Sequence, residues 1–476
     1  MAMGRRKPRQ ESLFVTTDQL AQAPGHPFYR KLNALLDEAG FDRWVEGRCQ
    51  PYYEQEEARG RKSLPPGVYF RMLFVGYFEG IDSQRGIAWR CADSLALRQF
   101  LGIPLDQPTP DHSTLTYTRR RLPEELFTEV FEFVLSIAAR KNLLTARTVG
   151  VDSTTLEANA AMKSIVRRDT GEDWKGYVTR LMREQGAIEP DQEPSDEEVR
   201  RFDKKRRDKT VSNADWESPG DPDARIAKMK DGRTHLAYKA EHVVDLKDDL
   251  VLAAEVYPAD RADTATLPDS LAAAQVHVRQ AGGAAQIEEA AADKGYHAAE
   301  TLEMCDFFAV RTYIPERRGR HRSRWTDKSP ELRRAVYGNR RRVRRAKGKA
   351  LQRRRSEVCE RSFAHVCDTG GARRSWLRGL VNVRKRHLIA AAAHNLGRLL
   401  RRLCGTGKPK APKAPKAAGG PAALVHRLMT PLRSARIRLR RVARRAVILF
   451  RLRGHTLAVR VRSQWTRGKT HRSTGC

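Results

Sequence analysis

The chain has 476 residues, with 91 Lys+Arg against 57 Asp+Glu and a formal net charge of +34. Its hydrophobic fraction of 40% is enough for packed cores and excludes a wholly disordered polycation. Apolar runs stay short of the roughly 18 residues that a membrane span needs. Seven scattered cysteines argue against a secreted disulfide scaffold. This composition predicts a cytosolic protein of two or three domains that handles a polyanion, with no membrane partner.

The first third of the chain predicts helices. Residues 1–60 form a polar segment with one helix in PFYRKLNALLDEAGF, ending at Gly40. A second helix, PPGVYFRMLFVGYFEG, begins with prolines in its first turn and stops at Gly80. The helices continue to about residue 143, so we expect a separate helical domain over residues 61–143.

The last-but-one helix of this domain carries a basic run. Asp111 or Ser113 can cap its start. Its exposed face would then present Arg119, Arg120 and Arg121. Short helices of this kind predict a helix-turn-helix-like DNA-binding domain. The alternative interpretation is a generic helical domain whose arginines are only surface residues.

Alternating strands and helices follow over residues 144–403. TVGVDSTTLEA predicts a strand that ends near Asp152, and a charged insertion of helical pieces and mobile loop occupies about 160–230. THLAYKAEHVVDL and LVLAAEVYPA predict two more strands, and AAADKGYH ends a further one at Asp293. A late helix, SEVCERSFAHV, contains Glu360. The expected fold class is mixed α/β, a sheet flanked by helices.

Three acids in this region can serve chemistry together. A carboxylate at a strand's end points into the crevice where open α/β sheets place ligands, and Asp152 and Asp293 both have that context. Glu360 lies on a helix whose buried stripe is Val358, Phe363 and Val366. Such carboxylates suit two Mg²⁺ ions, with Mn²⁺ as a substitute, which catalyse in-line phosphoryl displacement. Taken singly, each acid is as well explained as a cap or surface charge.

Two basic segments flank or follow the acids. Between Arg317 and Arg355 there are 18 Lys/Arg and two acids, which favours phosphate binding near a site. Residues 404–476 begin with a Pro/Ala/Lys linker; from Arg401 to Cys476 there are 21 Lys/Arg and no acid. We expect this tail to be poorly ordered, although an Arg-rich helix that clamps DNA is an equal alternative.

Several of these segments carry a family resemblance. PDHSTLTYTRRRL, TVGVDSTTLEAN, ADKGY and VCERSFAH, spread over residues 60–402, resemble the DDE transposases of bacterial insertion sequences. The resemblance implies a ribonuclease-H-like core with Asp152, Asp293 and Glu360 as catalytic, metal-binding triad. It also implies nicking at element ends, followed by attack of the freed 3′-hydroxyl on target DNA.

The same resemblance sets the expected partners. These are terminal inverted repeats and target DNA, bound by a homodimer or higher oligomer associated with the nucleoid. The expected DNA-binding residues are Arg119, Arg120, Arg121, Lys294, Arg340, Arg341, Arg342, Arg353, Arg354, Arg355 and Arg361.

The sequence also departs from the family pattern. Relatives often show Tyr-x2-Arg-x3-Glu-x6-Lys around the glutamate, but here Ser356 and Cys367 stand at the arginine and lysine positions. Glu357 shares a helix face with Glu360 and is the alternative third acid. Two other functions remain open: a catalytically inactive repressor derived from a transposase, and a non-transposing nuclease of the same fold.

Overall fold

The computed structural model describes residue 16 and residues 25–53, 63–207, 212–229, 232–317 and 327–409. The chain divides into two units, residues 1–409 and residues 410–476, and the second unit lies outside the described residues. The predicted basic tail therefore lies almost entirely outside them. So does the part of the basic block between residues 318 and 326.

Helices occupy most of the described chain, and their ends follow the capping signals. The α-helices are α1 (Pro27–Ala39), α2 (Phe41–Cys49), α3 (Pro66–Glu79), α4 (Gln84–Asp93), α5 (Leu95–Leu101), α6 (His112–Arg121), α7 (Glu124–Arg140), α8 (Trp174–Glu184), α9 (Asp196–Lys205), α10 (Asp263–Gln280), α11 (Ala299–Phe307), α12 (Pro330–Arg344), α13 (Ala346–Phe363) and α14 (Leu380–Cys404). Gly40 and Gly80 end α1 and α3 with φ of 73° and 70°, a left-handed conformation that favours glycine. Asp111 caps α6 by accepting a 2.8 Å hydrogen bond from the Ser113 amide. These predicted helix boundaries are confirmed.

Aromatic rings fill the interior between the N-terminal helices. Phe28 packs edge-on against Phe78, with ring centroids 4.7 Å apart, and Phe70 packs in the same way against Phe127. All four rings are buried, and burying each contributes about 1.5–3 kcal/mol relative to exposure. Helix α14 packs against α7 on the helical side and against the sheet on the other, so one hydrophobic core spans both.

The sheet mixes antiparallel and parallel pairing. The strands are β1 (Thr148–Glu157), β2 (Val166–Arg167), β3 (Trp216–Glu217), β4 (Arg225–Lys228), β5 (Thr234–Asp245), β6 (Val251–Pro258), β7 (Glu289–Ala291) and β8 (Arg311–Tyr313). The main sheet has the order β6–β5–β1–β7–β8, and β4 pairs with the first residues of β5. Strands β6, β5 and β1 are antiparallel neighbours, whereas β1, β7 and β8 are parallel. The predicted mixed α/β class is confirmed.

Strand β1 is longer than the sequence predicted. It continues to Glu157 because β5 pairs with it along its length, from Val149 opposite Asp245 to Glu157 opposite Ala237. The prediction that Asp152 ends the strand is therefore wrong. However, the parallel neighbour β7 pairs only with residues 148–150 of β1. Asp152 thus lies in the middle of its own strand but just past the end of β7.

The insertion between β1 and β5 contains more regular structure than expected. Helices α8 and α9 confirm the helical pieces, and α9 begins with a capping box formed by Ser195 and Glu198. The two helices bury Val178, Met182 and Val199 in a small core of their own. The pairing of β2 with β3 was not predicted, since two-residue strands leave no periodic pattern in the sequence.

Much of the basic block forms helix α12. Ser329 caps it, and Pro330 occupies its first turn. Its buried residues Ala335, Val336 and Asn339 recur at helical spacing, although the surrounding arginines conceal this pattern. Within the described residues, no helix is both long and apolar enough to cross a membrane.

Three fully buried histidines lie where α13 and α14 pack against the sheet and α3. His242 Nε2 lies 2.8 Å from His387 Nε2, and His242 Nδ1 lies 2.9 Å from Ser362 Oγ. His394 Nδ1 lies 3.2 Å from the hydroxyl of Tyr77. Burial lowers the pKa of His242 and His394 well below the ordinary value and that of His387 to about 4. These side chains are therefore neutral in the folded protein near neutral pH.

This cluster predicts a loss of stability in mild acid. Above pH 6.5 the histidines are neutral in both states, so stability is unaffected there. As the pH falls from 6.5 toward 4, these histidines bind protons in the unfolded chain but not in the folded chain. The free energy of unfolding therefore falls. For His387, whose pKa is about 4, the loss should be about 2 kcal/mol by pH 5. Urea unfolding at pH 7.5 and 5.0 measures this, and His387→Asn should reduce the difference; an unchanged difference would contradict it.

Candidate functional site

Asp152 and Asp293 meet at the carboxyl end of two parallel strands. Gly150 of β1 pairs with Ala291 of β7. Asp152 and Asp293 each follow two residues later in these parallel strands, so they lie side by side. Side chains two residues apart share a face, and neighbouring strands lie about 4.8 Å apart. Consistent with this, the charge of Asp293 acts on the carboxyl of Asp152. The two predicted aspartates are therefore neighbours.

A short 3-10 turn orients Asp293. Residues Lys294–Tyr296 form this turn, and Asp293 caps it by accepting a 2.6 Å hydrogen bond from the Gly295 amide through Oδ1. Tyr296 is buried beneath the turn, whereas Lys294 is exposed at its surface. The A-D-K-G-Y segment thus builds a rigid corner that holds one carboxylate at the strand end.

Arg355 of α13 is the cation closest to this pair of acids. Its Nη1 donates a 2.8 Å hydrogen bond to Asp152 Oδ2, while Asp152 Oδ1 accepts from the Ser153 amide at 2.9 Å. The arginine is buried, at 8% exposure. In this structure it is a partner of the candidate catalytic acid and not a solvent-facing contact for DNA. It was predicted as a DNA-binding residue only.

Burial and positive charge act in opposite directions on Asp152, and the net effect is to raise the pKa of its carboxyl. Burial raises the pKa of its carboxyl, and Asp293 raises it further, whereas the Arg355 guanidinium and the Ser153 N–H lower it. Two carboxylates that repel one another in a half-buried crevice are an arrangement that a hard cation would stabilise.

Gly150 lets α13 approach β1 closely. A Cβ atom at this position would lie 2.8 Å from Leu246 Cδ2, 3.0 Å from Arg355 Cγ and 3.1 Å from Cys359 Sγ. A side chain at this position would therefore force Leu246, Arg355 and Cys359 to shift. Because Gly150 and Asp152 lie on the same face of β1, the residue that permits the close approach also sets the distance between Asp152 and α13.

Glu360 and Glu357 differ in their surroundings on α13. The Glu360 side chain is exposed and, among the described residues, makes no hydrogen bond or ion pair. It neighbours Cys359, whose buried thiol senses the charges of both Asp152 and Glu360. Glu357 is held instead by Arg354 and Arg361 in surface ion pairs. Glu360 therefore remains free to act, and Glu357 is engaged elsewhere.

The structure does not bring the three predicted acids into one ligand cluster. Within the described residues, no group of three or more His, Cys, Asp or Glu could hold a metal ion. Asp152 and Asp293 are together, and Glu360 lies on the helix that covers them. The oxygen donors present suit Mg²⁺ in kind. What this conformation assembles is a two-carboxylate site with Arg355 beside it.

A second polar network lies on the opposite face of β1, and the sequence did not reveal it. Buried Lys239 donates 2.8 Å hydrogen bonds to Asp263 Oδ1 and to Thr266 Oγ1. Asp263 also accepts from Ser153 Oγ at 3.1 Å, directly beside Asp152. Fully buried Glu241 lies opposite Ser153 on β5 and accepts a 2.9 Å hydrogen bond from Tyr296.

This network connects the segments that carry Asp152 and Asp293, on the face of β1 opposite to the Asp152 side chain. Ser153 adjoins Asp152 and Tyr296 anchors the turn that carries Asp293, while Lys239 supplies the positive charge between Asp263 and Glu241. The alternation in THLAYKAEHVVDL marked β5 as a strand. It did not show that a lysine and a glutamate on it face inward.

Loss of Lys239 should destabilise the fold. In Lys239→Met, Glu241 and Asp263 lose the cation that offsets them, which should cost about 3 kcal/mol in the free energy of unfolding because a buried charge is left unpaired. Exposed Lys247, at the other end of β5, is the control, and Lys247→Met should change stability by less than about 0.5 kcal/mol. Equal urea midpoints for the two variants would refute the role given to Lys239.

Apart from Arg119, the predicted DNA-binding cations fall into two groups. One group is exposed and comprises Arg120, Arg121, Lys294, Arg341 and Arg353. The other group is engaged with protein atoms and comprises Arg340 on Glu316, Arg342 on Thr312, Arg354 and Arg361 on Asp249, and Arg355 on Asp152.

Arg119 does not lie on the exposed face where it was predicted. It turns inward, with Nε and Nη1 buried. It lies one helical turn from buried Leu115, so the spacing of the two residues already favoured an inward position.

Paired carboxylates at a sheet crevice, next to a buried arginine and an arginine-rich helix, are an arrangement that suits an enzyme acting on nucleic-acid phosphates. Two family models match the chain: the transposase domain DUF772 at residues 15–121 and the transposase DDE domain at residues 203–396. The chain belongs to the DDE transposases of insertion sequences and is an enzyme that acts on DNA. Asp293 and Glu360 lie inside the matched DDE range, and Asp152 precedes it. No curated protein and no solved structure matches.

Proposed function

We propose that this transposase cleaves DNA strands at the element's ends and transfers them to target DNA, using Asp152, Asp293 and Glu360 to bind two Mg²⁺ ions. The main support for the proposal is that Asp152 and Asp293 lie side by side, each two residues after the paired positions of neighbouring parallel strands. Mn²⁺ should substitute, since both cations accept carboxylate oxygens.

A ribonuclease-H-like core is part of this proposal. Three antiparallel strands in succession, β1, β5 and β6, are followed by two strands parallel to β1 on its other side. That order supports the fold expected from the family. The domain boundaries at residues 61, 144 and 404, and a helix-turn-helix-like DNA-binding role for the helices of residues 61–143, belong to the same proposal.

Each residue of the proposed site would have a separate role. Asp152 and Asp293 hold cations at the crevice, and Glu360 completes the site from α13, the helix that Gly150 lets approach β1. When bound, Mg²⁺ activates the attacking oxygen and stabilises the leaving one. Arg355 would hold the Asp152 carboxylate in position through its 2.8 Å ion pair.

The exposed arginines and lysine would bind the DNA backbone. Arg120 and Arg121 on α6, Lys294 on the Asp293 turn, and Arg341 and Arg353 on α12 and α13 are all open to solvent. Each phosphate contact makes binding weaken as salt increases. We infer a homodimer or higher oligomer on DNA, since two element ends must be handled together.

The test uses purified protein and supercoiled plasmid carrying the element's two ends, which are the matching inverted repeats that flank the gene. Nicking at the repeats with Mg²⁺ or Mn²⁺, abolished by EDTA, and joining of the freed ends to a second plasmid would support transposition. Nicking without joining would favour a nuclease. Tight binding of the repeats with no cleavage in either metal would favour an inactive repressor and overturn the catalytic proposal.

A further inference from the structure

One buried acid outside the crevice binds three arginines. Asp249 lies in the turn between β5 and β6, and its side chain is 9% exposed. Its Oδ1 accepts a 2.5 Å hydrogen bond from Arg354 Nη2, and its Oδ2 accepts one of 3.0 Å from Arg361 Nη1. Arg398 Nη2 also donates to Oδ2. Because two of these arginines belong to α13 and the third to α14, both helices are joined to the turn through one carboxylate.

The charge of Asp249 is what keeps these arginines together. A carboxylate has lone pairs for about four hydrogen bonds, so one side chain can serve all three guanidinium groups. Glu357 also pairs with Arg354 and Arg361, but its side chain is 55% exposed. Without Asp249, three like charges would lie close together with only this solvated acid beside them, and they would repel one another. Asp249 therefore holds one edge of α13 against the sheet.

Glu360 lies on the other edge of α13. The two arginines that bind the turn are seven residues apart and follow one line along the helix, on one flank of its buried face. Gln352 and Glu360 are eight residues apart and follow a second line, on the opposite flank. Gln352 Nε2 donates a 3.0 Å hydrogen bond to the carbonyl of Ala292, the residue before Asp293. The flank that carries Glu360 thus already touches the segment that carries an acid of the crevice.

We propose that Asp249 is a positioning residue for Glu360. By holding the arginine edge of α13 to the turn, it fixes the rotation of the helix about its axis and so the place of the Glu360 carboxylate at the crevice. Gly150 sets how closely α13 approaches β1, whereas Asp249 sets how α13 is turned. The inference rests on the proposed function, in which Glu360 completes the metal site. Groups that orient metal ligands typically change metal affinity by about 10–100-fold when they are removed.

Binding of Mn²⁺ to the full chain without DNA, measured by the EPR signal of the free ion, tests this role without a cleavage step. Asp249→Asn keeps the shape of the side chain, and asparagine tolerates the left-handed backbone at this position, where φ is 58°. This variant should raise the Mn²⁺ dissociation constant about tenfold.

The matched control is Asp248→Asn, in the same turn. Asp248 is also buried, but its ion pair is with Arg402 of α14. Both variants lose a buried ion pair, so both should lower the thermal midpoint. Only Asp249→Asn should weaken Mn²⁺ binding. A purely structural role for Asp249 would instead give the two variants the same Mn²⁺ affinity.

A double variant shows whether Asp249 acts through Glu360. Glu360→Gln alone should weaken Mn²⁺ binding, and Asp249→Asn should add no further loss in the Glu360→Gln background, because effects that pass through one residue do not add. Arg354→Gln is the second variant, for the case in which Asp249→Asn does not fold. It removes one of the two links between α13 and the turn and should also weaken Mn²⁺ binding.

Three results would overturn the inference while the proposed function stands: an Asp249→Asn or Arg354→Gln variant that binds Mn²⁺ as tightly as wild type, an equal loss in Asp248→Asn, or an undiminished loss in the Glu360→Gln background. A Glu360→Gln variant with wild-type Mn²⁺ affinity would be a different failure. It would remove Glu360 from the proposed metal site, and the role of Asp249 would fall with it.

Discussion

Replacing Asp152 or Asp293 with asparagine should lower the rate of strand cleavage by about 10³-fold or more. The amide has the same shape but cannot offset the charge of a cation, and metal assistance supplies several kcal/mol of transition-state stabilisation. Each 1.36 kcal/mol corresponds to a factor of ten in rate. The two effects should not add, since both residues serve one site.

The initial rate of plasmid nicking in Mg²⁺ measures this loss. The matched control is Asp269→Asn on α10, an aspartate whose side chain is 61% exposed and which should cleave at the wild-type rate. Thermal midpoints of all three variants show whether they are folded. A folded Asp152→Asn or Asp293→Asn variant that still nicks within threefold of wild type would remove these residues from the proposed site.

Glu360→Gln should reduce cleavage by at least 10²-fold, whereas Glu357→Gln should stay within about threefold of wild type. The two residues are one turn apart on α13, so each controls for the other. Glu360 is exposed and free among the described residues, and the helix that carries it packs over Asp152. Removing a carboxylate that binds metal loses transition-state stabilisation.

Glu357 instead stabilises the surface of α13. Its ion pairs with Arg354 and Arg361 are exposed, and solvent-exposed pairs contribute little to stability. Glu357→Gln should therefore lower the thermal midpoint slightly and leave nicking intact. If Glu357→Gln were the inactive variant and Glu360→Gln the active one, the third acid would have to be reassigned.

The placement of the two aspartates could be predicted because it depends on local signals. Asp152 and Asp293 each follow short apolar runs that form adjacent parallel strands, and the ends of such strands meet. The continuation of β1 beyond Asp152 could not be read in the same way. It depends on pairing with β5, about 80 residues away in sequence.

The network of Lys239, Asp263 and Glu241 escaped prediction for a related reason. Each residue is charged and lies in a segment where charges are usually solvated. Only the pairing of β1 with β5, which sets Ser153 opposite Glu241, shows that these charged side chains lie in the interior. Arg355, by contrast, could have been placed inside, since Cys359 and Ser362 on its helical face are buried.

The insertion between β1 and β5 begins and ends close together, since Glu157 and Ala237 are cross-strand neighbours, and its last part, β4, pairs with the first residues of β5. The energetic penalty for closing such a loop grows only with the logarithm of its length, by about 0.6 kcal/mol for each doubling. Lengthening, trimming or exchanging the part of this segment that contains α8 and α9, which have a small core of their own, should therefore leave the spacing of Asp152 and Asp293 unchanged. It is a position where descendants of this enzyme can acquire new recognition elements while the reaction centre stays constant.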